Sequence, residues 1–130
     1  MIILTIKSDQ ETAHVGLFDD ERLLSSHDWQ AGRQLAETLH SVILDQLSSA
    51  KLQLESIQGI VGFLGPGSFT GLRIGLTTVN TLAYALDIPA IGAAGPDWEV
   101  QGIRKLLAGE HVTQILPEYG APVHITLPKK

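Results

Sequence analysis

Phe63-Leu64-Gly65-Pro66-Gly67-Ser68-Phe69-Thr70-Gly71-Leu72-Arg73-Ile74-Gly75 is the stretch from which the rest of the sequence is best read. An apolar run from Ser56 to Leu64 leads into it. Ile57, Ile60, Val61, Phe63 and Leu64 leave little polar face, which suits a strand buried between helix layers. Gly65 and Gly67 permit backbone angles closed to other residues, and Pro66 stiffens the turn between them. Beyond the turn, Leu72, Leu76, Val79, Ala83 and Leu86 recur at helical steps. Thr70 to about Leu86 therefore reads as a helix, stopped by Asp87-Ile88-Pro89. Ser68 or Thr70 can cap its first turn.

A strand, a glycine turn and a helix start together offer free N–H groups to an anion. Three readings of the turn compete. A Walker A loop needs Gly-Lys-Ser/Thr at its close, and Leu72 follows Gly71, so that motif is rejected. A dinucleotide fingerprint places its third glycine one residue earlier, and Asp87 comes before the next strand rather than at its end. The plain reading is a tight turn with no ligand. The helix that follows carries Gly71, Gly75 and Thr78 on a small-residue stripe, at a cost of about 0.8–1 kcal/mol per glycine relative to alanine. Such a stripe suits close packing, either on the chain's own sheet or against a partner helix. Arg73 lies in the first turns, where the helix dipole does not favour a cation; an acidic partner residue or a local carboxylate would explain it, and the plain alternative is an exposed arginine.

Working outward, Met1 to Ile6 is a β-branched-rich run and reads as a central strand. His14 to Phe18 reads as a second strand, with Val15 and Leu17 on one face. Arg22 to His27 reads as a third, after the polar turn Asp19-Asp20-Glu21. The alternative for Leu23 and Leu24 is an irregular loop. Leu35, Leu39, Val42, Ile43 and Leu47 mark an amphipathic helix from about Ala31 to Ser49. Ala90 to Ala93 is a short buried strand. Pro96 to Leu107 is a third helix, with Gly109 beyond its end. The order is βββαβαβα, a meander followed by crossovers, which builds a mixed sheet covered by helices. Residues 1–110 form the expected domain and 111–130 an extended tail holding three of the six prolines.

The chain has 130 residues, no cysteine and a net charge of −5. The length suits one domain. Without cysteine there is no disulfide, thiol catalysis, zinc finger or iron–sulfur cluster. An acidic chain with scattered basic residues lacks the basic face that nucleic acid requires, so direct tRNA binding is not expected. The opening MIILTIK is too short to span a bilayer and lacks a basic leader, so the expectation is a cytoplasmic protein. His14, His27, His40, His111 and His124 show no metal-binding spacing. No metal site, cofactor or catalytic residue is expected. Ser68 is not set in a nucleophile elbow. Trp29 and Trp98 read as buried anchors.

The stretch from Gly65 to Gly75 resembles the signature of the TsaB (YeaZ) family. The likeness extends from Met1 to about Ala94. It implies a single actin-like, ribonuclease H-like α/β half-domain with the order above. It also implies a non-catalytic role in making threonylcarbamoyladenosine beside the anticodon of tRNA. The family's partners are the related catalytic subunit TsaD and the ATPase TsaE, and pairing uses a bundle of helices from both chains. The signature residues carried over are Gly65, Pro66, Gly67, Ser68, Phe69, Thr70, Gly71 and Arg73. The helix pairing implies interface positions at Leu39, Ile43, Leu72, Gly75, Leu76, Thr78, Val79 and Leu82.

Two departures bear on function. Family members usually end strand one with Ile-Asp-Thr, whereas this chain has Ile6-Lys7-Ser8, and Lys7 cannot ligate a metal cation. Asp9 substitutes only if the register slips. The second actin-like half expected after the third helix is also missing, while Leu116-Pro117-Glu118-Tyr119-Gly120-Ala121-Pro122 resembles the tail that closes full-length members. The resemblance thus implies a shortened form with an internal deletion, lacking a nucleotide cleft. Two other functions stay open. One is a nucleotide- or phosphate-binding module using the Gly65–Gly71 turn. The other is a homodimeric adaptor that pairs through the same helices.

Overall fold

Strand β1 (Ile2–Lys7) lies at the centre of a five-stranded sheet, as its apolar, β-branched composition requires. The computed structural model describes residues 1–67, 69–112 and 115. The other elements are β2 (Thr12–Asp19), β3 (Arg22–Gln30), α1 (Leu35–Ser49), β4 (Gly59–Phe63), α2 (Phe69–Leu86), β5 (Ala90–Ala93) and α3 (Trp98–Leu107). Their order is the βββαβαβα read from the sequence. The sheet order is β3-β2-β1-β4-β5. The meander β1-β2-β3 is antiparallel, while β4 and β5 run parallel to β1. Parallel neighbours need crossovers, which α1 and α2 supply.

Side-chain alternation sorts the core into two layers. Leu4, Ile6, Val15 and Leu17 pack with Leu35, Leu39, Ile43 and Leu47 of α1 and with Leu76 and Val79 of α2. On the opposite face, Ile3, Val61 and Ile91 pack with Trp98, Ile103 and Leu106 of α3.

Several boundaries differ from the sequence reading. Strand β3 runs to Gln30 rather than His27, and it holds Leu23 and Leu24 as read, with a register shift between Leu17 and Phe18 on the facing strand. The α-helix begins at Leu35 rather than Ala31, because Gly32 takes φ 51° and Gly32–Gln34 forms a 3-10 turn. Helix α3 begins at Trp98 rather than Pro96, after Gly95 at φ 86°. In the expected tail, Val112 bridges Ala90, and both backbone groups of Ile115 bond the Asn80 carboxamide. The tail motif from Leu116 to Pro122, and Ser68 in the turn, lie outside the described residues. No helix among the described residues is long and apolar enough to cross a membrane.

Candidate functional site

The signature turn leaves β4 and packs against the end of β1. Gly65 takes φ 109°, a conformation closed to side chains with a Cβ. Gly67 lies against Asp9, close enough that a Cβ there would stand 2.4 Å from the Asp9 Cβ. Ser8 Oγ donates to the Gly71 carbonyl at 2.6 Å. Gly75 meets the same serine, since a Cβ on it would stand 2.1 Å from Ser8 Oγ. Gly67 and Gly75 are thus the close-approach points that seat α2 on the β1 end. Gly75 faces its own sheet rather than the outside of the helix.

Strand β1 pairs with β2 without a register shift up to Lys7, its last residue, and Asp9 lies beyond its end. Lys7 Nζ bonds Asp9 Oδ1 at 2.6 Å and lies 4.6 Å from the Phe63 ring centroid. Asp9 is buried, so its charge needs this partner. Among the described residues no group of histidines and carboxylates is arranged to hold a metal ion.

The helix positions expected at an interface divide by burial. Leu39, Ile43, Leu72, Leu76 and Val79 are buried in the chain's own core, so their side chains are not open to a partner. Leu82 is half-buried and packs on the same core. Thr78 and Arg73 remain outward. Together with Ala36 of α1, Ile74 and Thr77 they line an open groove of about 310 Å³ between α1 and α2. The hydroxyl of Thr78 bonds back to the Ile74 carbonyl. Thr70 and Gly71 line a second hollow with Arg33 and Ile74 at the top of the same two helices.

One cluster was missed in the sequence. Lys7, His14 and Asp28 are successive register partners across β1, β2 and β3, so they share a face. Glu99, in the first turn of α3, descends onto that row. His14 Nδ1 lies 2.5 Å from Asp28 Oδ1 and Nε2 lies 2.9 Å from Glu99 Oε2. Thr5 donates to Glu99 at 2.6 Å. Trp98 stands edge-on to both His14 and Phe63. Burial works against the charge on His14, but the hydrogen bonds its ring donates to Glu99 and Asp28 outweigh that and raise its pKa above 6.5. Burial likewise opposes ionised Glu99, yet bonds from His14 and Thr5 hold it below 4.5. The row borders a cavity of about 290 Å³ that also touches Gln10 and Thr12. The available signal was polar Thr5, Lys7 and His14 at alternate positions on one face of apolar strands. Nothing in the sequence tied them to Glu99, which is 85 positions beyond His14.

Comparison with known proteins adds four findings. The family model described as TsaD, tRNA N6-adenosine threonylcarbamoyltransferase, matches residues 29–95. The tRNA threonylcarbamoyladenosine biosynthesis protein TsaB of Escherichia coli is 30% identical over 114 residues, which cover 83% of this chain and 49% of that protein. The structure of YeaZ from Pseudomonas aeruginosa superposes with a TM-score of 0.67 at 32% identity, over 72% of this chain and 43% of YeaZ. The chain therefore spans about half or less of the length of these relatives. A likeness in fold alone links it to Thermus thermophilus RuvC, with a TM-score of 0.52 at 14% identity. The mixed sheet and its helices are of the actin-like, ribonuclease H-like kind.

Proposed function

The chain belongs to the TsaB (YeaZ) family, and from that premise we propose that it is a non-catalytic subunit that binds a TsaD-type partner in making threonylcarbamoyladenosine in tRNA. The observation that carries this reading is the open groove between α1 and α2. Its lining of Ala36, Thr77 and Thr78 is small, which lets a partner helix approach closely, and Arg73 at its edge offers a charge to an acidic residue. Lys7 supports the non-catalytic part. Its ammonium, engaged by Asp9, occupies the strand end where the resemblance puts a metal-binding carboxylate. The work of such a subunit belongs in the cytoplasm, with its tRNA.

The Gly65–Gly71 turn is a poorer anion site than its glycines suggest. Gly67 is pressed against the Asp9 side chain, and a carboxylate at that point opposes a phosphate. Co-expression with a tagged TsaD-type subunit from the same genome is the test. Stable co-elution is expected, and loss of the chain is expected to lower threonylcarbamoyladenosine in tRNA. No complex, together with unchanged tRNA, would sink the proposal. Measurement of mass in solution separates that complex from a self-paired chain or one that also holds a TsaE-type ATPase. Calorimetry with magnesium and ATP reads the nucleotide alternative, which a saturable heat from the chain alone would favour.

A further inference from the structure

Each ring nitrogen of His14 faces a carboxylate, Asp28 on one side and Glu99 on the other. An ionised carboxylate only accepts, so both bonds need an N–H from the ring, and imidazole has two only when protonated. A neutral ring would turn a lone pair on one of the two oxygens. The groups involved come from separate elements, β2, β3 and α3, and Thr5 of β1 joins them through Glu99. The arrangement is built into the backbone as well. A Cβ at Gly16 would stand 2.8 Å from Glu99 Oε2, so this glycine makes room for the carboxylate above β2. We infer that His14 is a proton-operated latch, whose charged ring ties the end of β3 to α3 across β2 and whose neutral ring lets the β3 end go.

The inequality of the two carboxylates decides which side opens. The Glu99 side chain is 26% exposed and keeps its bond from Thr5, whereas the Asp28 side chain is 64% exposed. A solvated carboxylate replaces a lost donor with water, and a half-buried one does not. The neutral ring therefore keeps its proton on Nε2, toward Glu99, and Asp28 turns to solvent. The charged groups facing the ring are Asp28 from β3, Glu99 from α3 and Lys7 from β1, the last already paired with Asp9. With the ring neutral, Lys7 is the remaining cation beside two carboxylates on that face among the described residues.

The direction of the pH response follows. His14 has a raised pKa in the fold, so its contribution is complete below 6.5 and is lost as pH climbs through the raised value. Glu99 has a lowered one, so its contribution is present above 4.5 and is lost as pH falls through the lowered value. The latch is closed between these limits and opens on the alkaline side.

Proton–nitrogen spectra of the imidazole in the intact chain, from about pH 5 to pH 9, test the latch. The expected result is a His14 midpoint above the 6.5 of an unperturbed histidine, with the neutral ring protonated on Nε2. Amides of β3 near Asp28 are expected to exchange about tenfold faster, after correction for intrinsic rates, once the midpoint is passed. A midpoint at or below 6.5, or β3 exchange that ignores it, would overturn the proposal. Asp28→Asn is expected to lower the midpoint, and an unmoved midpoint counts against the latch. His14→Gln is expected to flatten the dependence of the urea midpoint on pH across neutrality. A slope equal to that of the unaltered chain would also overturn it. If that variant does not fold, the ring titration of the unaltered chain decides.

Discussion

Gly75 shows how one residue can be read two ways and what separates them. Spacing places it one turn after Gly71 on a stripe that suits either a partner helix or the chain's own sheet. In the fold, a Cβ at this position would stand 2.1 Å from Ser8 Oγ and 3.1 Å from Ser8 Cβ. The same hydroxyl donates to the Gly71 carbonyl, so an added methyl must break that bond or lift α2 from the sheet. Overpacking of this kind costs about 1–3 kcal/mol. Gly75→Ala is expected to lower the stability of the isolated chain in urea denaturation by that amount less the about 0.8–1 kcal/mol that alanine regains in a helix interior. Adding Ser8→Ala removes the nearer atom and is expected to recover part of the loss. A midpoint raised by the full helix gain of alanine would mean that Gly75 lies off the packed face.

The elements differ in how openly the sequence marks their ends. Helix α3 closes with Gly109 at φ 90°, whose N–H bonds the Leu106 carbonyl while Glu110 bonds Lys105. Helix α1 closes in the same pattern, through Lys51 to Ser48 and Leu52 to Leu47, but Lys51 holds φ 61°. A left-handed residue with a Cβ costs about 1–2 kcal/mol. Glycine gives back about 0.5–1 kcal/mol through its freer unfolded state. Lys51→Gly is therefore expected to stabilise the chain by about 0.5–1 kcal/mol, seen as a higher urea midpoint with an unchanged slope. Gly109 and Pro89 announce their helix ends in the sequence, and Lys51 does not. The strands were legible because apolar runs and alternation survive in a linear string. The start of α1 was not, because Gly32 diverts the chain into a 3-10 turn that apolar spacing does not record. The row Lys7, His14 and Asp28 needed the register of three strands, and Glu99 needed the placement of α3 over them.

At the scale of the molecule, α1 and α2 lie on one face of the sheet and spend much of their apolar surface on it. Leu39, Ile43, Leu76 and Val79 serve that packing and Leu72 joins the cluster on the opposite face, so on the proposed function a partner would meet what remains, chiefly the groove that Ala36, Arg73, Ile74, Thr77 and Thr78 line. This separates two variants that periodicity alone would treat alike. Thr77 is exposed, and replacing it there is expected to change stability by no more than about 0.5 kcal/mol. Thr77→Trp nevertheless fills the groove with an indole. It is expected to weaken binding to a TsaD-type subunit at least about tenfold, the equivalent of about 1.4 kcal/mol. Leu39→Ala opens a cavity under α1 and is expected to cost about 2–5 kcal/mol of stability. Whatever binding that variant loses should return in conditions that restore its fold. Parallel urea titrations and binding isotherms of the two variants read both quantities. If Thr77→Trp binds as the unaltered chain does, the partner sits elsewhere on the molecule. If Leu39→Ala loses binding while fully folded, the α1 side chains reach the partner after all, which would require α1 to lift from the sheet in the complex.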